Sequence, residues 1–258
     1  QIKPGFELPK PSSEQQEKLA KVQKDLDSFK DKCLEKRKDI TGMSLLPPLQ
    51  PRAGETINPD EIHIFVLIDD AAMEGMGKGD LIVKSTDETT KIAKEINENF
   101  KPQVMLISEL KEACFDAKHD IIQMVATSAI FYDRGLLSAL KVAELHKNMA
   151  VKKFEKYVVS YIAVGSLFRG DAAPNDIDVA IVIDDTDVKK MSRFELRDKL
   201  RAIIINMGYE ASQITGVRAQ FHIQTYILTD FWENVKDANP VIFTMLRDGV
   251  PLYDRGVF

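Results

Sequence analysis

The chain has only two cysteines in 258 residues, Cys33 and Cys114. That is too few for a disulfide framework, and their spacing matches no metal-ligand or redox motif. Reduced thiols are the expectation. No run of 18 apolar residues occurs, which excludes a membrane-spanning helix of ordinary length. Excess positive charge is also missing. The formal net charge is −5, so a general electrostatic grip on nucleic acid is not indicated. No signal-peptide pattern is visible, and the expected location is the cytoplasm. The glycine-rich stretch GMGKGD (75–80) lacks the Lys-Ser/Thr ending of a P-loop and reads as a hairpin tip or surface loop.

What is present is enough apolar sequence for one large or two small α/β domains, 44% against 29% charged. The chain repeats itself. FKPQVMLISELKEACFDAKHDIIQMVATSAIFYDRG (100–135) aligns without a gap on FHIQTYILTDFWENVKDANPVIFTMLRDGVPLYDRG (221–256). Phe100 matches Phe221, Gln103 matches Gln224, and both segments close on Tyr-Asp-Arg-Gly. Upstream, FVLIDD (65–70) mirrors AIVIDD (180–185), and ITGMSLL (40–46) echoes IAVGSLF (162–168). A charged helical stretch precedes each copy. Self-similarity of this kind points to duplicated structural units.

The expected organisation is a Pro-rich arm and amphipathic helix over 1–39 and a first copy over 40–135. A connecting helix over 136–157 then leads to a second copy over 158–258. The helix carries Leu19, Val22, Leu26, Phe29 and Cys33 at helical intervals. In the second copy, 158–164 and 178–184 read as strands, and 193–208 as a helix stopped by Gly208. The alternating 217–228 reads as a strand, and 229–239 opens a helix at Thr229. Pro240 starts another helical stretch. Strands alternating with helices imply α/β (α+β) architecture, with two tandem domains of small mixed sheets and flanking helices.

Residues 165–183, GSLFRGDAAPNDIDVAIVI, carry the chemistry. Asp176 and Asp178 lie two apart at the start of an apolar strand, so their carboxylates project from one face. Hard oxygen donors suit Mg²⁺, which is held by one or two carboxylates together with substrate phosphates. The Gly165-Ser166 turn offers backbone N–H groups to a phosphate.

This stretch resembles the DNA polymerase β-type nucleotidyltransferase superfamily, most closely its minimal nucleotidyltransferase branch. The matching residues are Gly165, Ser166, Arg169, Gly170, Asn175, Asp176, Ile177 and Asp178, with Asn175 in place of the usual serine. The resemblance implies transfer of a nucleoside monophosphate from a nucleoside triphosphate such as ATP to a hydroxyl acceptor. Asp176 and Asp178 would hold Mg²⁺, with Mn²⁺ as an alternative. Gly165, Ser166, Arg169, Gly170 and Asn175 would contact the nucleotide. It also implies a protein partner of HEPN type, on which the acceptor hydroxyl could reside.

Two departures from the family pattern stand out. The superfamily places a third carboxylate on a later strand, where this chain has His222 and Gln224. A histidine there could act as a base and a glutamine could not. The first copy has lost the motif: anchoring Ile68-Asp69-Asp70 on Ile183-Asp184-Asp185 puts Glu61 opposite Asp176 and His63 opposite Asp178. The same comparison sets Met43 opposite Gly165. The alternative function is therefore a catalytically weak or inactive nucleotide-binding, antitoxin-like interaction module.

Overall fold

The computed structural model describes residues 13–48, 58, 60–71, 75–116, 118–164, 176–188, 190–217 and 220–258. They form two four-stranded mixed sheets with helices on both faces of each. The first copy runs α1 (Ser13–Lys36), β1 (Ile40–Leu45), β2 (Ile62–Ile68), α2 (Lys78–Ile96), β3 (Phe100–Leu106), α3 (Ile107–Phe115), α4 (His119–Thr127) and β4 (Ala129–Asp133). The second repeats that order as α5 (Leu136–Phe154), β5 (Val158–Val164), β6 (Asp176–Ile183), α6 (Arg193–Thr215), β7 (Gln220–Ile227), α7 (Leu228–Lys236), α8 (Pro240–Asp248) and β8 (Val250–Asp254). The strand orders are β3-β2-β1-β4 and β7-β6-β5-β8. In each sheet one pair, β2–β3 or β6–β7, is parallel and the other two are antiparallel. The expected α/β fold with two tandem units is what the chain adopts.

Strand register fixes the correspondence between the copies and corrects one part of the sequence comparison. Ile62 pairs with Phe100 and Ile177 with Phe221, which confirms the anchoring of His63 on Asp178. The first strand aligns differently. Gly42 pairs with Leu67 and Asp133, and Ser160 pairs with Val182 and Asp254. Gly42 thus corresponds to Ser160, and Met43 to Tyr161 rather than to Gly165. The likeness of 40–46 to 162–168 is therefore a coincidence of composition, four residues out of register.

Side-chain alternation sorts the core into layers. On one face of the first sheet, Ile64, Val66 and Ile68 pack with Leu26, Phe29 and Cys33 of α1 and with Leu81 and Ile92 of α2. Leu19, assigned to that apolar stripe, is instead 64% exposed one turn beyond the sheet. On the other face, Phe65 and Leu67 meet Ile107 and Leu110 of α3. The same cluster continues through Ile122 and Val125 of α4 and Leu137 and Leu140 of α5 into Ile177, Val179 and Ile181 of β6. One apolar core therefore runs from the first sheet to the second, with α5 inside it. The far face of the second sheet, with Ile162, Ala180 and Val182, is covered by Phe231 of α7 and Ile242 and Met245 of α8.

Three local expectations are revised. Gly208 does not stop α6, because a Cβ there would lie 3.2 Å from the Phe221 ring and the glycine serves close helix–strand packing. The helix ends at Gly216, in the left-handed region at φ 69°. Thr229 lies inside α7, and its hydroxyl donates to Asp185 at 2.9 Å. Residues 75–77 lead directly into α2 at Lys78, so GMGKGD is a helix entry and not a hairpin tip.

Candidate active site

The strand β6 is apolar on both faces except where it begins. Ile177 is fully buried toward α5 and α6, which anchors the start of the strand and turns Asp176 and Asp178 to the opposite face. That face is covered by α7 and α8 further along, at Ala180 and Val182. Its first turn of sheet is left open, so Asp176 is exposed and Asp178 is partly exposed. The expectation that both carboxylates share one accessible face holds.

The neighbouring strand completes the arrangement. Parallel register sets His222 beside Asp178 and Gln224 beside Ala180, on the same face. The His222 Nδ1 lies 3.3 Å from an Asp178 carboxylate oxygen. Gln224 accepts a hydrogen bond from the Tyr226 hydroxyl at 2.6 Å. No carboxylate is present on β7 (Gln220–Ile227), so the later-strand acid of the superfamily is replaced by an imidazole and an amide.

A cleft of about 410 Å³ opens beside this end of the sheet. Asp178, Val164 and Gln224 form its sheet side, and Val241, Thr244, Met245 and Asp248 of α8 form its other wall, with Gly249 between them. The helix uses three faces for three tasks. Ile242 and Met245 pack on the sheet, Val241, Thr244 and Asp248 face the cleft, and Phe243 points away at 49% exposure. The role of α8 was not visible in the sequence, where 240–249 reads only as an amphipathic helix. The i, i+3, i+7 spacing of Val241, Thr244 and Asp248 is the signal that a second lined face existed. Gly165, Ser166, Arg169, Gly170 and Asn175 lie outside the described residues.

The equivalent end of the first sheet is built with opposite charge logic. Glu61 stands where Asp176 does, His63 where Asp178 does, and Lys101 where His222 does. The His63 ring lies 3.8 Å from Glu61 and 3.2 Å from the Gln103 amide, and Lys101 lies 3.9 Å from Glu61. The acid is thus neutralised by side chains of its own copy.

Among the described residues no group of three or more His, Cys, Asp or Glu side chains is placed to hold a metal ion on its own. Two carboxylates on one face still fit Mg²⁺, because this ion dehydrates reluctantly and completes its shell with water and substrate phosphate oxygens. Both cysteine thiols are remote from this chemistry: burial pushes each up to about 12, which keeps them protonated. No helix of the described residues is long and apolar enough to cross a membrane.

No curated protein and no solved structure matches the chain. The segment that holds β5, β6, α6, β7 and α7, residues 147–241, matches the family model of the nucleotidyltransferase domain. That match bears out the resemblance read from the sequence for the C-terminal copy, and it does not reach the N-terminal one.

Proposed function

We propose that the second copy is a Mg²⁺-dependent nucleotidyltransferase, moving a nucleoside monophosphate from a nucleoside triphosphate to a hydroxyl acceptor with release of pyrophosphate. The observation that carries this reading is the pair Asp176 and Asp178 on one open face of β6. A cleft runs beside them, within the segment that matches a nucleotidyltransferase domain.

Asp176 and Asp178 would hold the metal, which supplies charge neutralisation on the phosphates as the bond to the leaving pyrophosphate breaks. The rest falls to the chain. Gly165 and Ser166 would present N–H groups to the triphosphate, and Arg169 a charge-assisted contact. His222, 3.3 Å from Asp178, is the one described imidazole beside the carboxylates and is the candidate to accept the acceptor's proton. The apolar wall of Val164, Val241 and Met245 suits a flat ring, and exclusion of water there strengthens the polar contacts at the mouth. A hydroxyl on a protein partner, of HEPN type in the related systems, is the acceptor this reading favours.

A second reading rests on β7. With His222 and Gln224 in place of a third carboxylate, the copy would bind nucleotide and transfer it weakly or not at all, acting as an antitoxin-like module. Labelled nucleotides separate the two. Pyrophosphate release that requires Mg²⁺ and disappears in Asp176→Asn/Asp178→Asn supports transfer. Mg²⁺-dependent binding without release supports the module. Binding unchanged in the double variant rejects this site altogether. Mass spectrometry of partner proteins after incubation with ATP and Mg²⁺ identifies the acceptor.

A further inference from the structure

The two copies match element for element, yet they are not equally covered. In the first, α4 lies between its sheet and α5. Ile122 and Val125 of α4 are 1% and 0% exposed, in one cluster with Leu136, Leu137 and Leu140 of α5. Lys141 of α5 adds a hydrogen bond of 2.8 Å to the carbonyl of Ser128, the residue that ends α4. The gapless repeat puts Phe243 of α8 in the place of Ile122, Leu246 in the place of Val125, and Gly249 in the place of Ser128. Phe243 is 49% exposed. Beside it, a groove of about 400 Å³ runs between α8, β8 and α3, lined by Leu246, Tyr253 and Phe258 with Phe115, itself 47% exposed, on the far side.

We propose that the Phe243 face of α8 and this groove form a docking site for an amphipathic helix of a partner protein, seated as α5 is seated on α4. The first copy shows the chemistry of the occupant. It would carry aliphatic side chains at the i, i+1, i+4 positions that Leu136, Leu137 and Leu140 hold, followed by a lysine whose ammonium meets the Gly249 carbonyl. Two half-exposed aromatics flanking an apolar groove are the anchors such interfaces use.

A second copy of this chain does not fit the same place. The helix equivalent to α5 is α1, since Phe29 stacks on Phe100 as His146 stacks on Phe221. That equivalence sets Ala20 and Gln23 where α5 has Leu137 and Leu140, and both are exposed. α1 therefore lacks the aliphatic stripe that covers α4. The docked helix would end close to Gly249, which also borders the cleft beside Asp178. The site is independent of whether that cleft transfers nucleotides.

A fluorescent peptide of sequence LLSALKVAELHKNMAVKKF, residues 136–154, is the probe, because this sequence already covers the equivalent face. Titrated with the full chain, it should bind saturably. Phe243→Asp, on the exposed side of α8, should weaken binding at least tenfold, and so should Phe115→Ser on the opposite wall, with circular dichroism of both variants unchanged. A peptide carrying Leu137→Asp and Leu140→Asp should not bind. No saturable binding, or binding insensitive to both Phe243 and Phe115, overturns the proposal. So does a wild-type chain that is dimeric in light scattering and monomeric as Phe243→Asp, which would make a second copy the occupant.

Discussion

Asp178 and His222 face each other across the parallel strands β6 and β7, with 3.3 Å between carboxylate oxygen and imidazole Nδ1. At the matching position of the first copy, His63 faces Lys101. One pair offers an anion with a neutral or weakly basic neighbour, and the other brings a permanent cation to the same spot. A lysine ammonium near a metal-binding carboxylate competes for it without leaving a coordination site. His222→Lys should therefore abolish Mg²⁺-dependent nucleotide binding, whereas His222→Gln should keep binding and lower turnover by about 10²-fold or more, the usual worth of a general base. Calorimetry with Mg-ATP reads the first effect and pyrophosphate release the second. Undiminished affinity in His222→Lys would show that this end of the strands is not where the nucleotide binds.

The same comparison predicts an asymmetry between the copies. Glu61 is paired within its own copy by His63 at 3.8 Å and Lys101 at 3.9 Å. Replacing Glu61 and His63 with alanine should leave transfer within a few-fold of the wild type, since these partly exposed ion pairs are worth about 0–1 kcal/mol. Activity that falls as far as it does in Asp178→Asn would place chemistry in the first copy.

Much of this arrangement was legible in the sequence because it rests on short-range rules. The i, i+2 spacing of Asp176 and Asp178 fixes a shared face whatever the rest of the sheet does. The offset of 121 between Phe100 and Phe221 carried the pairing of β3 and β7 with their neighbours. What failed was set by tertiary contacts. The register of β1 is decided by pairing with β2 and β4, and the Gly-Ser echo of Ser44 had no bearing on it. The stop expected at Gly208 depended on a residue far along the chain, Phe221, for its true meaning. The strands β4 and β8, short and holding a central Phe or Pro, carry too little alternation to be seen before their partners are known. The cleft wall on α8 could not be read for the same reason: it exists only once the helix lies across the sheet.

A pH dependence follows from His146. The ring is fully buried in α5, with Nδ1 2.7 Å from the Tyr161 hydroxyl and Nε2 2.9 Å from the Ile204 carbonyl. Burial lowers its pKa below the ordinary histidine value, the Ile204 carbonyl opposing that only in part. The unfolded chain takes up this proton near pH 6.5. Between the unfolded and folded values the unfolded state binds more protons, so stability rises with pH. The contribution is complete above the unfolded value and is lost as the pH falls through the folded one. His146→Phe places in α5 the residue that α1 carries as Phe29, and should flatten this dependence. It also strands the Tyr161 hydroxyl, at a cost of about 1–3 kcal/mol. His146→Phe with Tyr161→Phe should recover that loss and remain flat between pH 5 and 8 in urea melts. A double variant that keeps the wild-type slope would move the titrating group elsewhere.

The last prediction concerns the continuity of the core. A helix that merely linked two independent domains would show one polar side. Instead α5 buries Leu137 and Leu140 among residues of α3 and α4, and His146 and Ala150 on its opposite side, the imidazole lying against Phe221. A fragment of residues 136–258 keeps the second sheet but strips the first of these two surfaces. Exposing two fully buried leucines costs about 1.5–3 kcal/mol each, against a total stability of about 5–15 kcal/mol for a domain of this kind. The loss is compounded at β8, where the packing of α3 also disappears. The fragment should then either unfold at ordinary temperature or bury the α5 face against a second copy of itself, as isologous pairs do. Light scattering after size exclusion distinguishes these from a monomer, and Leu140→Asp in the fragment should dissociate any dimer. A monomeric fragment with a cooperative melt and the same midpoint as the full chain would show that the shared core is not needed, and that the two copies are independent units.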